Sequence, residues 1–236
     1  MRLRPDARNV AAVLAIVICN CADSDPGFVG EHLEQLGYRL ERLHREDHGE
    51  WNEDVADDAD LLLLLGSDWS VYWDHVKPAV AAEVALVQRR MAADRPVLAI
   101  CFGAQLACTA LGGSVERAAE AEVGWRDVGS RHAAIEPGPW MQWHYDVCRL
   151  PDHVELLAAN EIGPQAFRRG RLLATQFHPE ATSAVVQRWS SGSGGEELVR
   201  LGIEREELLA RTAAETPRSA DAAGRLVDWF VSEMCR

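Results

Sequence analysis

The sequence predicts an α/β fold in which a mostly parallel, doubly wound, flavodoxin-like sheet is flanked by helices. Three short apolar runs, at 13–19, 61–65 and 96–100, have the length and composition of buried parallel strands. Segments with helical spacing of apolar residues lie between them, at about 28–36 and 78–92. Strands that alternate with helices in this way favour a parallel sheet covered on both faces.

The other elements are assigned in chain order. A second strand is predicted at 38–43, and the acidic stretch 53–60 is interpreted as a connection. Glycines and prolines break 111–164 into short strands and turns, which predicts a small antiparallel extension of the sheet. A last core strand is predicted at 172–177. The tail is predicted to hold a loop at 190–195, followed by helices at 196–212 and 219–234.

Length and composition limit the class of protein. The chain has 236 residues, of which 47% are hydrophobic, which is enough for one packed domain, so a single domain over 1–236 is predicted. The formal net charge of −13 argues against nucleic-acid binding. The densest basic cluster, Arg168, Arg169 and Arg171, is typical of a solvated turn.

Localisation and redox state are predicted from the amino-terminal residues and the cysteines. No signal peptide is apparent, and the first apolar run, at 10–19, is too short to span a bilayer, so a cytoplasmic protein without membrane contact is expected. The six cysteines are then expected to be reduced. Cys19 and Cys21 lack a second cysteine pair at zinc spacing, so neither a metal nor another cofactor is expected.

A candidate nucleophile follows the third apolar run. Cys101 stands between a predicted strand and a segment with helical character, which is the pattern of a nucleophile elbow. Small neighbours such as Ala99 and Gly103 let the backbones approach closely, and a helix N-terminus favours a thiolate. A buried structural cysteine is the alternative interpretation.

A candidate base and its partner follow the last predicted core strand. His178 and Glu180 are two residues apart, and in an extended chain such side chains point the same way. His178 could therefore face the thiol while Glu180 orients its imidazole, as covalent catalysis requires. His144 and His153 are alternative bases, but neither is followed by a carboxylate at the end of a clear core strand.

The two segments 101–105 (CFGAQ) and 176–180 (QFHPE), in this order, resemble the class I glutamine amidotransferases. More narrowly, they are similar to free-standing proteins that resemble the glutaminase domain of GMP synthetase. The resemblance implies a catalytic triad of Cys101, His178 and Glu180.

The resemblance also implies an oxyanion hole and a glutamine pocket. The segment 65–72 stands where the family has a Gly-Gly-Pro loop, which implies oxyanion-hole amides at Ser67 and Phe102. Ser67-Asp68 replaces Gly-Pro of the family, which restricts the backbone conformations available to aim the N–H. Pocket residues by the same resemblance are Gly66, Gln105 and a loop made of Trp143, His144, Tyr145 and Asp146.

Three functional hypotheses remain open. The chain could be a glutaminase that forms a γ-glutamyl thioester and releases ammonia to a separate ammonia-using synthetase, because no ATP-binding motif is visible. It could instead be a stand-alone γ-glutamyl hydrolase or peptidase. A catalytically silent regulatory subunit is the third hypothesis, and the complete triad argues against it.

Overall fold

The computed structural model of the protein describes residues 13–235, so the expectation of no signal peptide falls partly on residues outside this range. Eight strands form the central sheet in the order β2-β1-β3-β4-β10-β9-β8-β6. Neighbours from β2 to β10 are parallel, and the pairs from β10 to β6 are antiparallel. The predicted parallel sheet with an antiparallel extension is therefore confirmed. Its strands are β1 (Val13–Cys19), β2 (Tyr38–His44), β3 (Leu61–Leu64), β4 (Val97–Ile100), β6 (Gly129–Ser130), β8 (Glu155–Ala159), β9 (Pro164–Arg169) and β10 (Leu172–Thr175).

Helices cover both faces of this sheet. They are α1 (Gly27–Gln35), α2 (Glu53–Asp58), α3 (Lys77–Ala92), α4 (Phe102–Ala110), α5 (Ser183–Trp189), α6 (Ser193–Leu201) and α7 (Arg205–Met234). On one face, Ala15 and Val17 of β1 belong to a core cluster with α1 and α7. On the other face, Ile16 and Ile18 pack with α2, α3 and α4. Both faces of β1 are thus buried, which explains why its sequence is apolar without alternation.

Three predicted assignments, two of connections and one of a helix, were wrong. The acidic stretch at 53–60 contains α2, because Asn52 caps it by accepting a hydrogen bond from the Val55 N–H at 3.4 Å. The predicted loop at 190–195 ends early, since α6 begins at Ser193. The predicted helix at 196–212 is divided at Gly202, whose φ of 67° provides a left-handed C-cap for α6.

The predicted break before residue 219 is also absent. Helix α7 runs without interruption from Arg205 to Met234 with Pro217 inside it. Proline removes one backbone donor and usually ends a helix. Here packing holds both halves: Leu208 contacts the cluster around Trp125, and Phe230 is fully buried in the core beneath the sheet.

A separate two-stranded sheet pairs β5 (Ser114–Arg126) with β7 (Trp140–Arg149). The predicted loop from Trp143 to Asp146 lies inside β7 and was assigned wrongly, because pairs such as Val123 with Trp143 hold the segment in an antiparallel ladder. Between residues 13 and 235, no helix combines the length and the apolar character that crossing a bilayer requires.

Candidate active site

Cys101 occupies the sharp turn between β4 and α4. Its φ of 52° and ψ of −106° lie in a region that residues other than glycine rarely adopt. The Cys101 N–H donates to the Thr175 carbonyl of β10 at 2.8 Å, which ties the turn to the neighbouring strand. A Cβ at Gly103 would lie 2.6 Å from the Leu64 Cβ, so glycine lets α4 pass close to β3. The strand-to-helix turn of a nucleophile elbow is therefore present, with a strained backbone at Cys101.

His178 and Glu180 lie just beyond β10 and contact each other. His178 Nδ1 is 2.7 Å from Glu180 Oε1, and both side chains are buried. The segment is a turn rather than the extended chain expected, and it is held by the His178 N–H donating to the Met141 carbonyl at 2.9 Å. The Glu180 carbonyl accepts from the Phe28 N–H at 3.1 Å, which anchors the other end. The expected contact thus forms through a different backbone geometry.

The charge state of His178 is set by opposing influences. Burial is the largest and favours the neutral ring, but the Glu180 carboxylate and Cys101 outweigh it, so the pKa of His178 lies well above its ordinary value. Nε2 of His178 is buried and has no hydrogen-bond partner within the described residues. That nitrogen is therefore free to exchange a proton with a nearby group.

Backbone and amide groups surround the thiol. Gln176 Nε2 lies 3.6 Å from Cys101 Sγ, and the Trp143 carbonyl lies 3.8 Å from it. A Cβ at Gly66 would lie 3.1 Å from His178 Cε1 and 3.6 Å from Cys101 Cβ, so this glycine lies next to both Cys101 and His178. From the sequence, Gly66 is assigned to the pocket, whereas Gln176 is given no functional role. Gln176 belongs to the 176–180 segment, from which only His178 and Glu180 were assigned roles.

The two residues expected to supply oxyanion amides each follow a member of this cluster in the chain, Ser67 after Gly66 and Phe102 after Cys101. Ser67 follows Gly66 after β3, and its hydroxyl accepts a hydrogen bond from the Trp69 N–H at 3.1 Å. Phe102 is the first residue of α4, where backbone N–H groups have no intrahelical acceptor. Both residues therefore lie at the carboxyl edge of the sheet, just beyond β3 and β4.

The expected pocket residues divide into two groups. Gln105 is buried in α4, and its Oε1 has no partner within residues 13–235. Asp146 accepts hydrogen bonds from the Ser70 hydroxyl at 2.6 Å and the Tyr72 hydroxyl at 2.8 Å, so it fixes the segment that follows Ser67. These two side chains lie on segments that flank the thiol.

The other expected pocket residues have structural partners. His144 Nε2 is 3.2 Å from Glu122 Oε2 inside the protein. Tyr145 lies beneath Arg117, whose Cζ is 4.1 Å from the ring centroid. Burial, followed by Glu197, raises the pKa of Tyr145 to about 12. From this strand, the Trp143 backbone carbonyl accepts a hydrogen bond from the thiol.

A tryptophan that the sequence did not single out covers the histidine. The Trp189 ring packs edge-on against the His178 ring, with centroids 4.7 Å apart. Its Nε1–H donates to Asp23 Oδ2 at 2.6 Å. Burial, together with the nearby Glu180, raises the pKa of Asp23 despite this hydrogen bond. Cys101 and His178 are each only 3% exposed, so the site is enclosed.

Within residues 13–235, one cluster offers metal-ligand atoms. The thiol of Cys21, the ring of His44 and the carboxylate of Asp47 lie within 4.8 Å of one another, and Cys21 and Asp47 are exposed. Surface groups often meet in this way without holding an ion. The expectation that no metal is bound stays a prediction.

A cysteine at a strand-to-helix turn, beside a paired histidine and glutamate, is the arrangement of α/β enzymes with a cysteine nucleophile. Residues 29–188, more than half of the chain, match the family described as glutamine amidotransferase class-I. The chain belongs to this family.

Curated relatives are longer proteins. The chain is 32% identical over 139 residues to the GMP synthase (glutamine-hydrolyzing) of Methylobacillus flagellatus, covering 51% of this chain and 25% of that protein. It is 39% identical over 95 residues to the enzyme of the same name from Gloeobacter violaceus, covering 36% of this chain and 17% of that protein. The chain thus spans a quarter or less of the length of these relatives.

Solved structures match over most of the chain. A glutamine amidotransferase from Thermotoga maritima superposes with a TM-score of 0.84 at 24% identity, covering 93% of this chain and 98% of that one. A glutamine amidotransferase from Methylobacillus flagellatus gives a TM-score of 0.77 at 20% identity, covering 94% of each chain. At these identities the matches show the fold.

Proposed function

We propose that the protein hydrolyses the side-chain amide of glutamine through a thioester at Cys101 and releases ammonia for a synthetase. The observation that carries this proposal is the strained Cys101 turn beside the buried His178–Glu180 pair, joined at 2.7 Å. A structural cysteine needs neither a strained backbone nor an adjacent base. Membership of the class I family agrees with this chemistry.

The reaction follows from the geometry in two halves. The Cys101 thiol proton passes to His178 Nε2, the resulting thiolate attacks the amide carbon, and the carbonyl oxygen becomes an oxyanion. The amides of Ser67 and Phe102 stabilise that charge. When the intermediate collapses, the C–N bond breaks and His178 returns its proton to the leaving ammonia. Water then attacks the thioester by the same route and releases glutamate.

Glu180 keeps the imidazole in the required tautomer and favours its protonated form. The raised pKa of His178 agrees with this role, because the proton must stay on the ring until ammonia leaves. Gln105 and Asp146 are the side chains we assign to substrate binding. The unpartnered Oε1 of buried Gln105 can accept a hydrogen bond from the substrate.

The acceptor of the ammonia is inferred from the relatives. Their name, GMP synthase (glutamine-hydrolyzing), joins glutamine hydrolysis to a synthetic reaction. By this similarity we propose a synthetase partner for this chain as well. All six cysteines are free in the structure, and we place the activity in the cytosol, where Cys101 stays reduced.

The test measures ammonia and glutamate release by the purified protein, with glutamine and a series of γ-glutamyl peptides as substrates. Cysteine-dependent turnover of glutamine is the expected result, and Cys101→Ala should abolish it. Cys21→Ala is the matched control, because this exposed thiol lies outside the site. Turnover of peptides without glutamine would replace the proposal with a γ-glutamyl hydrolase. Full activity of Cys101→Ala would overturn both.

A further inference from the structure

A fully buried arginine connects several of the strand ends that bear on the site. Arg45, just after β2, has an exposed fraction of 0%. Its guanidinium pairs with Glu83 of α3, with Nε 3.1 Å from Oε1. It also donates to the Asn20 side chain at 2.6 Å and to three backbone carbonyls: Gly66 at 2.8 Å, Leu65 at 3.2 Å and Ile18 at 3.4 Å. The ends of β1 and β3 are therefore held by one cation.

The bond to Gly66 bears on the amide of the next residue. The Gly66 carbonyl and the Ser67 N–H belong to one planar trans peptide, in which C=O and N–H point in opposite directions. Arg45 Nη1 holds the carbonyl at 2.8 Å, so the Ser67 N–H is aimed away from the arginine. The Cα of Gly66 lies against Cys101 and His178, as the 3.1 Å approach of an added Cβ to the His178 ring shows. The orientation of this peptide is thus fixed beside the reacting groups.

The same guanidinium contacts the other side of the proposed oxyanion hole. Its Cζ lies 4.9 Å from the centroid of the Phe102 ring, in a cation–π contact inside the protein. Phe102 is the first residue of α4 and carries the second proposed amide. Among the described residues, Arg45 is therefore the one side chain whose hydrogen bonds and cation–π contacts reach both Gly66 and Phe102.

We infer that Arg45, held by Glu83, is a positioning residue that preorganises the oxyanion hole. The inference rests on the proposed function. Arg45 supplies the restraint on the Gly66–Ser67 peptide from outside the loop. Arginine is needed because its planar guanidinium, with five N–H donors, reaches Glu83 and several other acceptors at once. A lysine ammonium has three donors on a single nitrogen and cannot span the same acceptors.

The test separates oxyanion stabilisation from general integrity of the site. Arg45→Lys and Arg45→Met are compared with the wild-type protein in two assays. The first measures kcat and KM for the γ-glutamyl substrate that the wild type hydrolyses. The second measures the rate of Cys101 alkylation by iodoacetamide, in which sulfur displaces iodide from carbon and no oxyanion forms.

Arg90 provides a matched control. It is 1% exposed and donates to the backbone carbonyls of Ala59 at 2.5 Å and Pro96 at 2.9 Å, which precede β3 and β4 at the opposite edge of the sheet. Arg90→Lys therefore removes similar buried hydrogen bonds without touching the site. It should leave kcat and the alkylation rate unchanged in the folded protein.

Loss of one oxyanion donor typically costs about a hundred- to a thousandfold in rate. Since misaiming is less severe than removal, we expect kcat of Arg45→Lys to fall about 10- to 100-fold, with KM and alkylation changed less than about threefold. If Arg45→Met fails to fold, Arg45→Lys, which keeps a cation opposite Glu83, decides the matter. A parallel fall in kcat and alkylation, or an unchanged kcat, would overturn the inference while the proposed function stands. A wild-type protein that hydrolyses no γ-glutamyl substrate would overturn both.

Discussion

Replacing Glu180 with glutamine tests the role of the buried histidine–carboxylate pair. The substitution keeps the size of the side chain but removes the charge that lies 2.7 Å from His178 Nδ1. His178 is 3% exposed and Glu180 is 2% exposed, so water cannot replace the lost interaction. The variant amide can also turn its NH₂ group toward Nδ1, which favours the wrong tautomer of the ring.

The size of the effect follows from the kind of bond that is lost. A hydrogen bond to a charged group contributes about 1.5 to 3 kcal/mol, and about 1.4 kcal/mol corresponds to a tenfold change in rate. If the interaction acts fully in the transition state, kcat/KM for glutamine should fall by roughly 10- to 150-fold. KM should change little, because Glu180 is not assigned to substrate binding.

The pH dependence gives a second, independent readout. Glu180 raises the pKa of His178, so in the wild type the ring keeps its proton to a pH above its ordinary pKa of 6.5. Without the carboxylate the pKa falls. The alkaline limb of kcat/KM, where the proton for the leaving ammonia is lost, should therefore move to lower pH. Profiles of kcat/KM against pH for both proteins measure this shift.

The pH dependence of the free energy of unfolding should also report the lowered pKa of His178 in Glu180→Gln. A raised pKa in the folded state means that protonated His178 stabilises the protein fully below pH 6.5, and that this contribution is lost as pH rises through the folded pKa. Urea unfolding at several pH values should show a smaller alkaline loss in Glu180→Gln. Asp228→Asn is the control, since Asp228 contacts His32 at a similar 2.8 Å on the surface.

An alkaline limb of the kcat/KM profile that stays in place in Glu180→Gln, with kcat/KM within twofold of the wild type, would refute the reasoning.

Three further substitutions have defined outcomes. Gly66→Ala places a methyl group 3.1 Å from the His178 ring, so kcat should fall about 10- to 100-fold, while Gly49→Ala, with open space around it, should have no effect in the same steady-state assay. Gly103→Ala forces a Cβ to within 2.6 Å of β3 and should lower the free energy of unfolding by about 1 to 3 kcal/mol in urea titrations. Asp146→Asn weakens two hydroxyl hydrogen bonds that hold the segment after Ser67, and it should raise KM for glutamine more than it lowers kcat.

The parallel strands were predictable because burial on both faces leaves an unambiguous pattern. β1, β3 and β4 are short apolar runs, and their observed bounds differ from the predicted ones by at most one residue at an end. The helical tail was less predictable. Pro217 normally ends a helix, but the packing of α7 on both sides of it outweighs the lost hydrogen bond, and such packing is visible only in three dimensions.

The candidate site was predictable only in part, for a related reason. Cys101 directly follows β4, and His178 and Glu180 lie a few residues beyond β10. Chemistry-bearing residues are expected at this carboxyl edge of a parallel sheet. Arg45 lies in a charged stretch that resembles a solvated surface, although the residue is wholly buried. Its role depends on Glu83 and Gly66, which are distant in sequence, so no local pattern could indicate it.

The position of Arg45 also explains where the candidate site lies on the sheet. In the parallel order β2-β1-β3-β4-β10, the connections reverse direction between β1 and β3, and ligands of such folds commonly bind in the crevice there. In this protein the Arg45 guanidinium occupies that crevice, bonded to the carbonyls of Ile18 at the end of β1 and Leu65 at the end of β3. The reacting groups instead follow β4 and β10, the next strands along the edge. The buried cation therefore lies at the switch point of the sheet and holds the Gly66 backbone beside the reacting groups.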